Sequence, residues 1–288
     1  MTRSEWQRAW TGGQLGIFDA PLRASAPAPF RELLVWNVGH PSSARASGQL
    51  EWLLSQAPDV IVLSETAQND GCEHLQEGLT RAGYRVVASS PPGREFGSVI
   101  ASRSGAVPSE FVDRLDQLPF RATSVDLESE AIEIIGVYVP SRDGKLSRSY
   151  EMEQVKIARK RGFLESFLRA LTLRAGGERI VCGDFNVIPQ NHIPPEPAFQ
   201  QWEYDFLRGL ESMGLRDAFT LNEPERQDHS WFGHFGDRYR FDYCYVTRAI
   251  SDRVRDASFD HSPRQLNLSD HSALRVRFAP ASRDVEPR

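Results

Sequence analysis

The chain predicts an α/β domain of stacked layers with mixed sheets, and three features carry that prediction. Between residues 31 and 89, apolar runs of strand length alternate with segments whose apolar residues recur at helical spacing. In the middle, residues 121–127 and 131–139 alternate like the two arms of a hairpin, which adds antiparallel pairing. From about residue 229 to 278, short strand-like segments follow one another. Alternation early and clustering late imply mixed rather than purely parallel sheets.

Leu33-Leu-Val-Trp-Asn37 is a buried strand ending on Asn37. Leu50, Leu53 and Leu54 mark a helix over 45–57, which Pro58-Asp59 stops. Val60-Ile-Val-Leu63 is the next buried strand, ending on Glu65, with a second helix over about 73–82. Strands follow near 84–89 and 97–102, and the hairpin's second arm ends at Tyr138-Val-Pro140. Ser149 to Leu173 is the longest helical segment, with Val155, Ile157, Phe163, Leu164, Phe167, Leu168 and Leu171 available for a buried stripe, and Gly176-Gly177 ends it. After a Pro-rich loop at 190–199, Gln200 to Met213 is a helix with Trp202, Phe206, Leu207 and Leu210 inward and Gly214 beyond its end. Short strands follow at about 229–232, 241–247, 254–259 and 272–278. Residues 1–30, with Trp6, Trp10 and Phe18 among Gly, Ala and Pro, are an N-terminal extension, residues 31–280 the domain, and 281–288 a polar tail.

The stretch Ile180-Val-Cys-Gly-Asp-Phe-Asn-Val-Ile-Pro189 organises the rest. An apolar run delivers Asp184 and Asn186, Gly183 leaves room beside them, and Pro189 cannot continue a central strand. Residues two apart in an extended chain point the same way, so a carboxylate and an amide leave the sheet together. Asp and Asn also favour plain turns, so this stretch alone does not separate a site from a strand end.

Composition sets bounds. At 288 residues and 40% hydrophobic, the chain can bury a substantial core, and no run approaches a membrane span. Met1 to Trp10 is polar, without a signal-peptide core, so a soluble, cytoplasmic protein is expected. Cys72, Cys182 and Cys244 form neither a disulfide framework nor a zinc-ligand pattern. A net charge of −5 argues against a general nucleic-acid coat but leaves a local basic stripe open.

Polar residues recur at matching places: Asn37, Glu65, Tyr138, Asp184 with Asn186, Asp242, and Asp270 with His271 each lie at or near a strand end. Each alone has a plain structural explanation, as a helix cap, a surface carboxylate or a core histidine. Their recurrence over separate segments is what suggests a site.

In order, Trp36-Asn37, Leu63-Ser-Glu65, Tyr138-Val-Pro140, Gly183-Asp-Phe-Asn186, Ser230-Trp-Phe232, Arg240-Phe-Asp-Tyr243 and Ser269-Asp-His271 span most of the chain beyond the extension. This ordered set resembles the endonuclease/exonuclease/phosphatase superfamily, and most of all its exonuclease III-like apurinic/apyrimidinic endonuclease branch. The resemblance implies a DNase I-like four-layer sandwich, two packed mixed β-sheets flanked by helices, and a metal-dependent phosphodiesterase, most of all a DNA nuclease. It implies that Glu65, with Asn37 and Asp270 near it, holds the metal, and that Asp242 is the partner of His271. Converging carboxylates would repel a phosphodiester unless a cation reversed the local field, and oxygen ligands suit Mg²⁺ or Mn²⁺. Asp184 would orient or deprotonate the attacking water, with Asn186 and Tyr138 bonding phosphoryl oxygens. His271 with Asp242 either takes the proton or binds the phosphate as an imidazolium.

For the substrate, residues 142–161 hold seven positive side chains, Arg142 and Lys160 among them, against three negative ones. The patch suits a nucleic-acid backbone and equally suits the solvated face of a long helix. Trp231 matches the aromatic segment that borders the sugar pocket of the look-alike enzymes and is a stacking or core residue; Arg240 follows it as a further substrate-side residue. After Asn37 those enzymes continue with a Gly-aliphatic-Arg run, whereas this chain reads Val38-Gly-His-Pro41, which puts His40 where a group faces substrate. That departure leaves a small, lipid or RNA phosphoester open as the substrate, and beyond it an inactive binding module. The expected partner is DNA, with no membrane and a monomeric state.

Overall fold

The computed structural model describes residues 30–127, 130–142, 150–173, 176–233 and 236–280. Residues 1–29 of the expected extension, the tail, and Lys145 and Arg148 of the basic patch lie outside them, whereas Phe30, expected at the end of the extension, is buried in the core.

The first sheet contains β1 (Glu32–Asn37), β2 (Val60–Thr66), β3 (Arg85–Ala88), β4 (Gly97–Ser102), β13 (Val254–Asp260) and β14 (Ala273–Phe278), in the order β13-β14-β1-β2-β4-β3. Only β1 and β2 run parallel in it. The second contains β5 (Val107–Pro108), β6 (Ala122–Leu127), β7 (Ile132–Tyr138), β8 (Glu178–Asp184), β9 (Arg216–Asp217) and β12 (Asp242–Val246), in the order β5-β6-β7-β8-β12-β9. There β7 and β8 are the parallel pair. Between β9 and β12, β10 (Trp231–Phe232) and β11 (Arg238–Tyr239) form a separate ribbon.

Both sheets are mixed, as the strand spacing predicts. Their facing sides share one core, Leu33, Val35, Val60 and Val62 from one sheet against Ile134, Ile180, Cys182 and Val246 from the other. The alternate residues of the same strands are buried too, because helices cover the outer faces. Leu34, Trp36, Ile61 and Leu63 meet Trp52 and Leu53 of α1 (Ser43–Gln56) and Leu75 and Leu79 of α2 (Asp70–Arg81). Val137, Val181 and Tyr243 meet Phe163 and Phe167 of α3 (Tyr150–Thr172) and Phe206 and Leu210 of α4 (Gln201–Ser212). The result is the four-layer α/β sandwich. Helix α2 starts where Asn69 accepts from the Cys72 amide at 2.8 Å.

The stripe expected on α3 holds from Phe163 onward but not at Val155, which is 68% exposed. Lys160 is buried in its place. The three cysteines are buried and free. No described helix is long and apolar enough to cross a membrane.

Topology decides where the polar strand ends go. In β1, β2, β7 and β8 the C-terminal ends point one way, and their antiparallel neighbours β12 and β14 begin at that same end. Asn37, Glu65, Tyr138, Asp184, Asp242 and His271 therefore collect at one edge of the seam between the sheets.

Candidate active site

Asn37 is fully buried at the end of β1, and its amide donates to Glu65 Oε2 at 2.9 Å and to Asp184 Oδ2 at 2.8 Å. One amide thus ties the first sheet to the second. Its Oδ1 accepts from the Gly39 amide, so the group is used on both ends. In this arrangement Asn37 aims two carboxylates.

Glu65 is aimed by the backbone as well. The register between β2 and β4 shifts between Ser64 and Thr66, and Glu65 at that bulge has φ 56°, in the left-handed region. Burial raises its pKa, and hydrogen bonds from His40 and Asn37, with the charge of His271, outweigh burial and hold it below the usual range.

Gly183 has φ 137°, and a Cβ there would lie 2.0 Å from the Val137 carbonyl oxygen, so only glycine lets β8 run this close to β7. The extended alternation expected to pair Asp184 with Asn186 stops at Asp184. Asn186 has φ 49°, its amide N–H donates to Asp184 Oδ1 at 2.8 Å, and its side chain donates to Val139 O at 2.9 Å. The two residues meet through an Asx turn, so the turn and the site are one feature.

Asp242 faces Asp184 across the β8–β12 ladder, and its Oδ2 lies 2.7 Å from His271 Nδ1. Ser230 Oγ accepts from the Phe241 and Asp242 amides, fixing the start of β12. His271 is held from the first sheet: Trp36 Nε1 donates to its carbonyl at 3.1 Å, and its own amide donates to Ser269 Oγ at 3.1 Å. With Nδ1 given to Asp242, Nε2 faces Asp184 Oδ2 at 4.0 Å. Burial lowers the imidazole's pKa, and the adjacent Asp242 and Asp184 overturn that and raise it to about 10. Burial and the charge of Asp242 push Asp184 up to about 7.

Tyr138 is buried beside these groups; burial first, then the carboxylates of Glu65 and Asp184, keep its phenol protonated. Asp270 is exposed, and its Oδ2 accepts from Trp231 Nε1 at 2.8 Å. Trp231 stacks on Tyr239 at 5.6 Å and 7°, with Phe241 behind. His40, at the mouth, lies 2.9 Å from Glu65 Oε1.

Two expected substrate contacts are corrected. Arg240 is buried against Asp217 and stacked on Tyr243 at 4.4 Å, a core ion pair rather than a substrate group. Arg142 turns inward to Glu203 at 2.8 Å and to the Ala198 carbonyl. Lys160 joins it on Glu203, so these two members of the basic patch serve a buried network.

The sequence reading missed Arg121, whose guanidinium lies 5.0 Å from the Tyr138 ring, and Phe96, packed between His40 and Tyr138. It also missed Arg238 and Arg264, both against Phe232 at 5.0 and 3.4 Å. None stands in a motif, and only tertiary contact marks them.

Among the described residues, no three His, Cys, Asp or Glu side chains stand together as a ready-made metal cluster. The donor set still suits a hard, hydrated cation, because Mg²⁺ keeps several waters and uses one or two carboxylates. Glu65 is such a carboxylate, and Asp184 and Asp242, facing each other across the β8–β12 ladder, place negative charge nearby that a cation would offset.

A model of the endonuclease/exonuclease/phosphatase family matches residues 34–271, from β1 through His271. The chain belongs to that family. As a family member it is a phosphoester hydrolase, and the polar cluster around Asn37 is the part of the fold that this chemistry would use. No curated protein matches the sequence. Among solved structures, an AP endonuclease from Archaeoglobus fulgidus superposes with TM-score 0.71 at 23% identity, covering 86% of this chain and 99% of the other. A 3′ phosphatase from Neisseria, bound to product DNA hairpin, gives TM-score 0.68 at 22% identity over 86% and 99% of the two chains. An AP endonuclease from Leishmania major gives 0.67 at 18% identity, over 88% of each. At these identities the likeness is one of fold, and the fold of this family member is DNase I-like.

Proposed function

We propose that this family member is a divalent-cation-dependent phosphodiesterase that cleaves nucleic acid, DNA foremost, by activated water. The observation that carries it is the shared amide of Asn37, which joins Glu65 to Asp184 beside the His271–Asp242 pair. A cation on Glu65 and a water-activating group at Asp184 would thereby be supported by one amide, as metal-assisted phosphoester cleavage requires.

Glu65, with Asp270, would hold Mg²⁺ or Mn²⁺, which would supply charge to polarise a phosphoryl oxygen and offset the leaving oxygen. Asp184 orients the attacking water and takes its proton. His271 is locked by Asp242 so that Nε2–H points to the gap with Asp184, where it donates to a phosphoryl oxygen. Tyr138 donates a second hydrogen bond, and Asn186 offers the amide hydrogen that Val139 does not use. Trp231 and Tyr239 form an aromatic wall for a base or sugar, and Arg238 and Arg264 beyond it suit a phosphate backbone. The DNA-bound relative of the same fold supports a nucleic-acid substrate. A cytoplasmic, monomeric nuclease working in DNA repair is the setting that fits this reading.

Incubation with plasmid, an abasic-site duplex and single-stranded DNA, under Mg²⁺, Mn²⁺ or EDTA, tests it. Cleavage that EDTA abolishes is the expected result, and no cleavage of any of them under either metal rejects it. A second reading, the same chemistry on a small, lipid or RNA phosphoester, draws on the inward turn of Arg142 and Lys160. Turnover of such an ester with DNA left intact selects it.

A further inference from the structure

The turn after β1 and the bulge in β2 are built against each other. His40 donates its backbone N–H to Glu65 O at 2.8 Å, Gly39 donates to Asn37 Oδ1 at 2.9 Å, and Arg45 donates to the Gly39 carbonyl. His40 and Glu65 have φ of 37° and 56°, a region that side-chain-bearing residues rarely enter and that gathers at functional sites. The outcome is that both side chains reach the same mouth, with Nδ1 of His40 2.9 Å from Oε1 of Glu65. The imidazole is 49% exposed there, and its plane is set by Phe96 at a ring distance of 4.7 Å.

We propose that His40 supplies a nitrogen ligand, beside Glu65, to the divalent cation of this site, and so biases it toward first-row transition ions over Mg²⁺. The inference rests on the cation site assigned above and specifies its donor set. Two ligands about 2.1 Å from a small ion and at right angles to each other stand about 3.0 Å apart. The observed 2.9 Å between Nδ1 and Oε1 matches that separation, so an ion can enter in place of the hydrogen bond once the imidazole turns its Nδ1 lone pair from Oε1 toward it.

The other donors near Glu65 are partly engaged. Asn37 gives its amide hydrogens to Glu65 and Asp184 and its oxygen to Gly39, and Asp270 Oδ2 accepts from Trp231. Among the described residues, His40 is the further metal-type donor in contact with Glu65. An imidazole in place of one oxygen raises affinity along the series from Mn²⁺ to Ni²⁺ and does little for Mg²⁺.

Mn²⁺ binding to the whole protein, followed by pulsed electron paramagnetic resonance without substrate, reads this directly. The wild type is expected to show ¹⁴N coupling to the bound Mn²⁺, and His40→Asn, which tolerates the left-handed turn, is expected to lose it. By titration calorimetry, His40→Asn and His40→Ala should lose about tenfold or more in Ni²⁺ and Co²⁺ affinity with Mg²⁺ affinity nearly unchanged. Bound Mn²⁺ without ¹⁴N coupling overturns the proposal and leaves the cation site standing, as does an equal loss for every metal, which would make His40 only a support for Glu65. No binding of any divalent ion by the wild type overturns both.

Discussion

Lys160 donates to the backbone carbonyl of Asn186 at 2.7 Å, from a side chain only 1% exposed. The same ammonium bonds Glu203 Oε1 at 2.6 Å, and Arg142 bonds the other carboxylate oxygen at 2.8 Å. A helix on the outer face of the second sheet therefore holds the turn that follows Asp184. A residue expected on a nucleic-acid-facing or solvated face of the helix is part of the site's support.

Replacing Lys160 with Met should destabilise the protein by about 1–3 kcal/mol, because the Asn186 carbonyl and one Glu203 oxygen lose their buried donor while Arg142 still pairs the carboxylate. Urea unfolding measures it. Adding Glu203→Gln should cost more again, because Arg142 then loses its buried carboxylate; recovery instead would mean that the pairing with Arg142 contributes nothing.

The same network sets acid behaviour. Burial pushes Glu203 up, and Lys160 and Arg142 outweigh burial, so the folded carboxyl titrates below the usual range. Lys160 is itself pushed down by burial beyond what Glu203 restores, so the carboxylate is the end of the pair that gains. A depressed folded pKa gives stability that is complete above the unfolded value of about 4.3 and lost as pH falls through the folded value. The unfolding free energy of the wild type should thus decline more steeply below about pH 4.3 than that of Glu203→Gln. Parallel pH profiles for the two proteins would count against this.

Asp184→Asn, His271→Asn and Asp242→Asn should each lower kcat by about 10²–10⁴ while the thermal melt stays cooperative. Pairing Asp242→Asn with His271→Asn should cost little beyond the single change, since the two act as a unit. Steady-state cleavage of a labelled duplex under Mg²⁺ checks both, and additive losses would separate their roles.

Gly183→Ala places a Cβ 2.0 Å from the Val137 oxygen and should cost about 3 kcal/mol or more, or block folding. Gly177, with φ 93° and nothing within 4 Å of where a Cβ would stand, should lose only about 1 kcal/mol on change to Ala. Comparing melting temperatures of the two variants isolates close approach from backbone strain.

Trp231→Ala should weaken single-stranded DNA binding by about 1–3 kcal/mol, read by fluorescence anisotropy in EDTA. Affinity equal to wild type would place Trp231 in the ribbon's packing instead.

How far the sequence reaches is visible in particular residues. Asn37, Glu65, Tyr138 and Asp184 are legible because each ends an apolar run, and a buried strand has to deliver its last polar residue near a sheet edge. The bulge at Glu65 is not, since it depends on how β2 pairs with β4, where Ser64 faces Ser98 and Thr66 faces Gly97, and nothing local records that pairing. Arg142, Lys160 and Arg240 read as solvent-facing or substrate-facing because charge predicts exposure. Their carboxylate partners, Glu203 for the first two and Asp217 for the third, lie 61, 43 and 23 residues away.

By itself the sequence determined the layers and the chemistry available: period sets helix or strand, burial on both faces sets sheets covered by helices, and the residue types at strand ends set an acidic, oxygen-rich site. Tertiary structure alone decided which carboxylates meet, which cations are spent on buried pairs, and that His40 reaches Glu65. Those outcomes depend on strand register and on distances between segments far apart in the chain, and local side-chain preference carries no record of either.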